Sequence, residues 1–150
     1  MHYLGSTVVS IDIATGDAIT PNPINYSYKS ILNDESFNIL AYNPETIIAE
    51  KLESILELGV TNSRMKDYYD LYIIGKYRQI IRIDEEMLKT AILNTFSTRK
   101  YKYDYKIFES IKNSKELKQL WKNHSTNKEF VNDITFEDVI REIEKYIKLI

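Results

Sequence analysis

The sequence predicts an α+β fold, with a small N-terminal sheet over residues 1–42 and a helical bundle over residues 43–150 in one unit. Three observations predict it. The first forty residues hold short runs rich in β-branched and aromatic residues, separated by turn residues, as strands do. From Asn43 onward the apolar repeat lengthens to that of a helix. No internal repeat, low-complexity tract or Gly/Ser linker divides the 150 residues, a length that suits one domain with its own core.

The elements follow in order. Thr7–Ile13 is β-branched and short, so it reads as a strand; Gly16-Asp17 turns, and Pro21 and Pro23 keep regular structure out until Ile24. Ile24–Ser30 alternates Ile and Tyr with Asn, Ser and Lys, the period of a half-exposed strand, and Asn33–Ser36 turns into a third strand at Phe37–Ala41. A helix starts at Asn43, which can cap it, with Pro44 in the first helical position and Glu45 favoured by the helix dipole. Its apolar stripe is Ile48, Leu52, Ile55 and Leu56, and Gly59 is placed to end it. Ser63 is the expected cap of a second helix running to about Gly75. Further helices are expected at Asp84–Phe96, Lys106–Asn113, Ser114–Asn123 and Thr135–Ile150, the last with Phe136, Val139, Ile140, Ile143 and Ile147 at helical spacing.

Composition narrows the function classes. With 43% hydrophobic and 28% charged residues the chain is not disordered. No apolar run reaches about 18 residues, and no secretory signal opens the chain, so a membrane span is not expected and the cytoplasm is. The absence of cysteine excludes disulfides, thiolate metal sites and cysteine nucleophiles, and His2 and His124 are too far apart in sequence to suggest a zinc centre. Basic charge is concentrated between Arg99 and Lys128, with Tyr101, Tyr103, Tyr105, Phe108 and Trp121 interleaved. Cations for phosphates beside rings for bases suit single-stranded nucleic acid, and a solvated lysine face has the same pattern.

Two clusters stand out, Ala49-Glu50-Lys51-Leu52-Glu53 and Arg64-Met65-Lys66-Asp67-Tyr68-Tyr69-Asp70-Leu71, because both place ionisable residues beside or inside apolar helix faces. Asp67 and Asp70 lie three apart and face one way, and Lys51 borders the stripe of the helix before. Buried aspartates need partners. Local bridges from Arg64 to Asp67 and from Lys66 to Asp70 would supply them, and so would Lys51 across the short Val60-Thr61-Asn62 connection. A lysine held in that way can contact a nucleotide phosphate while the carboxylate orients it or a substrate hydroxyl. Asp12, near the end of the first strand, is a candidate Mg²⁺ ligand or a surface aspartate.

Taken together, Ile11-Asp12-Ile13, Gly16–Pro21, Pro44-Glu45-Thr46, Ala49–Leu52 and Arg64–Leu71, followed by Ala91–Arg99 and Trp121, resemble the AbiEii-type nucleotidyltransferases, toxins of bacterial abortive-infection and toxin–antitoxin systems. The resemblance implies a polymerase β-like fold that moves a nucleoside monophosphate from a nucleoside triphosphate (NTP) to an acceptor, with tRNA the attractive one, using Mg²⁺. It implies Asp12 as metal ligand, Lys51, Asp67 and Asp70 as the catalytic set, and Lys51 with Arg64 and Lys66 as nucleotide-binding cations. It also implies a cognate antitoxin and, along Arg99–Lys128, a surface for tRNA. The family's Gly-Gly-Ser or Gly-Gly-Thr turn and Asp-x-Asp pair are not in these 150 residues. The chain therefore reads as the C-terminal portion of such an enzyme, truncated or degenerate, weak or inactive alone. The alternative is a non-catalytic module that binds an antitoxin, another subunit or nucleic acid. An incomplete sheet would also leave an edge able to pair with a second copy.

Overall fold

The computed structural model describes Val8, Ser10, Ile11, residues 15–126, Lys128, Phe130, Val131 and residues 133–150. The strand expected at Thr7–Ile13, including Asp12, falls largely outside these residues. Among the described residues the fold is α+β, with one two-stranded antiparallel sheet followed by seven α-helices.

Strands β1 (Ile24–Lys29) and β2 (Ser36–Ala41) form a hairpin closed by a hydrogen bond from the Ser30 amide to the Glu35 carbonyl, 2.9 Å long. Its register pairs Ile24 with Ala41, Tyr26 with Ile39 and Tyr28 with Phe37. Side chains alternate across a strand, so these six share one face, and the Asn25–Leu40, Ser27–Asn38 and Lys29–Ser36 pairs share the other. One face of the hairpin is therefore continuously apolar, yet Tyr26 is 52% and Phe37 53% exposed.

Helix α1 (Pro44–Leu58) starts as predicted, with the Asn43 side chain accepting from the Thr46 amide at 2.8 Å and Pro44 in the first turn. Ile48, Leu52, Ile55 and Leu56 are buried. Gly59 ends it at a φ of +53°, a value that favours glycine, and a single 3₁₀ turn at Gly59–Thr61 leads on. Helix α2 (Met65–Lys76) is not capped by Ser63: the Asn62 side chain accepts from the Arg64 amide at 2.7 Å just before it. Its buried stripe is Met65, Tyr68, Leu71 and Gly75, spaced three and four apart. A short helix α3 (Arg78–Ile81), absent from the sequence reading, ends at Arg82 in the left-handed region.

Helix α4 (Glu85–Thr98), expected over Asp84–Phe96, is capped by the Asp84 side chain and packs along α1 through Leu88, Ala91, Ile92 and Phe96. Helices α5 (Tyr105–Asn113) and α6 (Lys115–Thr126) bury Phe108, Ile111, Leu117 and Trp121. Helix α7 (Phe136–Ile147) carries a capping box between Thr135 and Asp138 and buries the five apolar residues that its periodicity marked. It packs on α2, where the Tyr146 hydroxyl donates to the Leu71 carbonyl at 3.2 Å. No helix among the described residues is long and apolar enough to cross a membrane.

Candidate functional site

The core fixes α1 against α2, and that packing brings Lys51 to the two aspartates. Its ammonium lies 2.7 Å from Asp67 Oδ1 and 2.8 Å from Asp70 Oδ2. All three side chains are largely buried, with exposures of 22%, 16% and 26%. Burial alone would lower the pKa of Lys51; the hydrogen bonds and charges of Asp67 and Asp70 more than reverse this and leave it raised. An ammonium has three donors, so one is left for a further acceptor after both aspartates are served.

Of the two local bridges allowed by spacing, the one from Arg64 to Asp67 is present but long, at 3.8 Å, and Arg64 also reaches the Ser54 hydroxyl at 3.3 Å. Lys66 is exposed and makes no ion pair among the described residues.

A second cluster adjoins the first. At the end of α4 the Arg99 guanidinium lies 2.6 Å from Glu53 Oε2, 3.1 Å from Asp17 Oδ1 and 3.8 Å from Glu50 Oε1. The last contact is too long for a hydrogen bond, and Glu50 Oε1 is buried with no partner. Burial, then the charge of Asp17, raises the pKa of Glu50, against the opposing pull of Arg99 and Lys51. Asp17 is held from both sides: the Tyr42 hydroxyl donates to it at 3.5 Å, and three residues on, Thr20 exchanges 2.9 Å hydrogen bonds with Thr46 at the start of α1.

The two clusters line one surface cleft of about 380 Å³, to which the first contributes Lys51, Asp67 and Arg64 and the second Asp17, Glu50 and Arg99. Counting Glu53 and Asp70 behind its walls, three cations stand among five carboxylates. The cleft is an ionic site with more carboxylates than cations rather than a cationic groove.

Spacing alone did not mark Asp17, Glu50, Glu53 or Arg99 as a group. One signal was present: Glu53 lies four after Ala49 and three before Leu56, both fully buried, so it demanded a cation from elsewhere in the fold. That cation is 46 residues further on. Arg99, read from sequence as the start of a nucleic-acid segment, points into the cleft. Three of the aromatic residues behind it also face inward: Phe108 is fully buried, the Trp121 indole donates to the Ile134 carbonyl at 2.8 Å, and Tyr101 packs edge-on against Phe96. Phe108 and Trp121 are core and Tyr101 is partly buried against it, whereas Tyr105, 55% exposed, and Lys100, Lys102, Lys106, Lys115, Lys118 and Lys122 face solvent.

Among the described residues no three His, Cys, Asp or Glu side chains converge to hold one metal ion. The cleft carboxylates already answer to cations, Asp67 and Asp70 to Lys51 and Asp17 and Glu53 to Arg99. The described residues by themselves do not fit Mg²⁺, and Asp12 lies outside them.

The family model of the nucleotidyl transferase AbiEii toxin, of type IV toxin–antitoxin systems, matches residues 2–142. The chain belongs to the AbiEii family. The match contains the hairpin, α1 to α6 and the first half of α7, and with them every residue of the cleft. No curated protein and no solved structure matches the chain. AbiEii membership therefore gives the class, a nucleotidyltransferase toxin with an antitoxin partner and a nucleotide substrate, and leaves the nucleotide and acceptor to be argued from the cleft.

Proposed function

We propose that the cleft between α1 and α2 takes the phosphate chain of an NTP, and that the chain supplies this part of a nucleotidyltransferase site. The observation that carries the reading is Lys51, held at 2.7 and 2.8 Å by two carboxylates with one donor left over. A lysine fixed in this way meets a phosphate oxygen without first losing its side-chain freedom, which is where positioning contributes to group transfer. Asp67 and Asp70 hold Lys51, and Asp70 or Asp67 would orient an acceptor hydroxyl. Arg64, at the rim and 66% exposed, is free to swing onto the triphosphate, and Lys66 would act only as an outlying charge. Asp12 keeps the metal role that the resemblance gives it.

The acceptor we favour is tRNA, lying along the exposed lysines between Lys100 and Lys122. Because Phe108 and Trp121 are core and Tyr105 alone of the neighbouring rings is more than half exposed, those lysines would hold its backbone more than the rings stack its bases. Neither the Gly-Gly-Ser turn nor the Asp-x-Asp pair occurs in the 150 residues, so transfer by the chain alone should be weak or absent. Incubation with Mg²⁺, each labelled NTP in turn and total tRNA tests this. Nucleotide bound by the wild type and lost in Lys51→Ala, with little label on RNA, is the expected result. Robust label transfer overturns the inactivity, and failure to bind any NTP overturns the site.

One observation favours a second reading, a non-catalytic module that docks on an antitoxin or another subunit: the continuous apolar face of the β1–β2 hairpin is exposed. That reading expects partner capture to survive Lys51→Ala and Asp70→Ala.

A further inference from the structure

Arg99 is the only guanidinium among the described residues that three carboxylates face, and those carboxylates come from separate parts of the chain: Asp17 ahead of the hairpin, Glu50 and Glu53 on α1. Glu50 is adjacent in sequence to Lys51 and lines the same cleft. Without a cation at position 99, Asp17, Glu50 and Glu53 would present up to three negative charges to anything approaching Lys51. Water screens this only in part, because Glu53 is 6% exposed and the Asp17 and Glu50 side chains are each 21% exposed. Lys51 cannot offset it, since Asp67 and Asp70 already over-compensate its own charge.

We propose that Arg99 is a positioning residue of the Lys51 cleft: by drawing Asp17, Glu50 and Glu53 onto one guanidinium, it offsets part of their charge and keeps the wall beside Lys51 open to a nucleotide phosphate. This deepens the nucleotide-binding reading above and rests on it. The planar fork is what the geometry uses: one terminal nitrogen meets Glu53 at 2.6 Å while the other serves Asp17 at 3.1 Å and faces Glu50 at 3.8 Å. A lysine offers a single charged point and would supply the same positive charge without tying the same groups together. The buried, unpartnered Oε1 of Glu50 marks the place where the cancellation is incomplete. There the wall stays sensitive to what happens at residue 99.

Two measurements on the full chain test the proposal, each with folding checked by circular dichroism and thermal melting. The first follows binding of fluorescent NTP analogues by anisotropy for wild type, Arg99→Lys, Arg99→Gln and the triple variant Arg99→Gln/Asp17→Asn/Glu50→Gln. Arg99→Gln should weaken binding by about tenfold at low salt, with the gap closing as salt screens the carboxylates. Arg99→Lys should lose less, and the triple variant should recover most of the loss. A merely structural arginine would not be rescued by removing the charges it faces, so unaltered binding in Arg99→Gln, or no recovery in the triple variant, overturns the proposal.

The second measurement needs no nucleotide: carbon NMR titration of the glutamate carboxyls. The pKa of Glu50 should rise further in Arg99→Gln, because the cation opposing its protonation is gone, and an unmoved Glu50 overturns the proposal. If wild type binds no NTP while Glu50 moves as expected, the nucleotide reading fails and the charge-offsetting role of Arg99 stands, which separates the two failures.

Discussion

In the helical body Ile48, Leu52, Leu71 and Ile143 are fully buried, whereas on the hairpin Tyr26 and Phe37 are more than half exposed and Leu40 is 73% exposed. The two regions hold apolar residues for different ends. Those of the helices meet one another, and the packing of α1 on α4 and α2 on α7 supplies the folding free energy. The hairpin has a ladder and an aromatic pair, Tyr28 with Phe37 at 5.3 Å, but nothing among the described residues covers its apolar face. A two-stranded hairpin is marginal by itself, so it should follow the helices rather than lead them. The cleft is divided accordingly: Lys51, Asp67 and Asp70 sit on helices that the core fixes, and only Asp17 and Tyr42 reach it from the hairpin side.

The largest effect should come from breaking the helical side of this contrast. Leu71 is fully buried in α2 where α7 packs, and Leu71→Ala should cost about 2–5 kcal/mol through lost burial and the cavity left behind. Urea unfolding followed by circular dichroism measures it, and a loss below about 1 kcal/mol would mean that α2 is not part of the cooperative core. Lys51→Ala should move stability less than it moves nucleotide binding, because Asp67 and Asp70 are 16% and 26% exposed and water partly replaces the ammonium. A melting loss as large as that of Leu71→Ala would identify the Lys51 cluster as structural.

A smaller, pH-dependent effect also belongs to the helical body. Burial, followed by the charges of Glu57 and Glu53, pushes the Tyr101 hydroxyl up to about 12. An unfolded tyrosine titrates near 10, so between these values the unfolded chain loses this proton first. The stabilisation is complete below about pH 10, falls as pH rises and is gone above about 12. Lys51, also raised, adds to the slope with the same sign. Tyr101→Phe should flatten the loss of stability over this window; an unchanged slope would show that the tyrosine takes no part.

The same contrast explains what could be read from the sequence. Helix α7 was legible because its apolar residues fall on one face with charges on the rest, and α1 because Asn43 caps it ahead of Pro44. The stripe of α2 was not: tyrosines and isoleucines surround it, and only the packed structure shows that Tyr68 and Gly75 face inward while Tyr69 and Tyr72 lie at the edge. Short α3 has too few residues for any period to show. At the site, the meeting of Lys51 with Asp67 and Asp70 was one of two readings left open by the spacing, since those residues are joined through one short connection. Arg99 with Asp17 was beyond reach because 82 residues separate them and each alone looks like surface.

The smallest effect is expected on the hairpin, where it decides most about the exposed face. Tyr26 stands on that face opposite Ile39, half exposed, so in a monomer Tyr26→Ser removes little buried area and should change stability by no more than about 0.5 kcal/mol. If a second copy covers the face in solution, the substitution exposes an interface instead. Light scattering over a dilution series separates the cases. Wild type that gains mass with concentration and loses the gain in Tyr26→Ser puts a partner copy on the hairpin. Equal monomer masses at every concentration leave the face to a partner of another kind. In either case the Lys51 cleft should bind nucleotide as before, because its three central side chains stand on α1 and α2; a loss of binding in Tyr26→Ser would mean that the hairpin shapes the cleft through Asp17 and Tyr42.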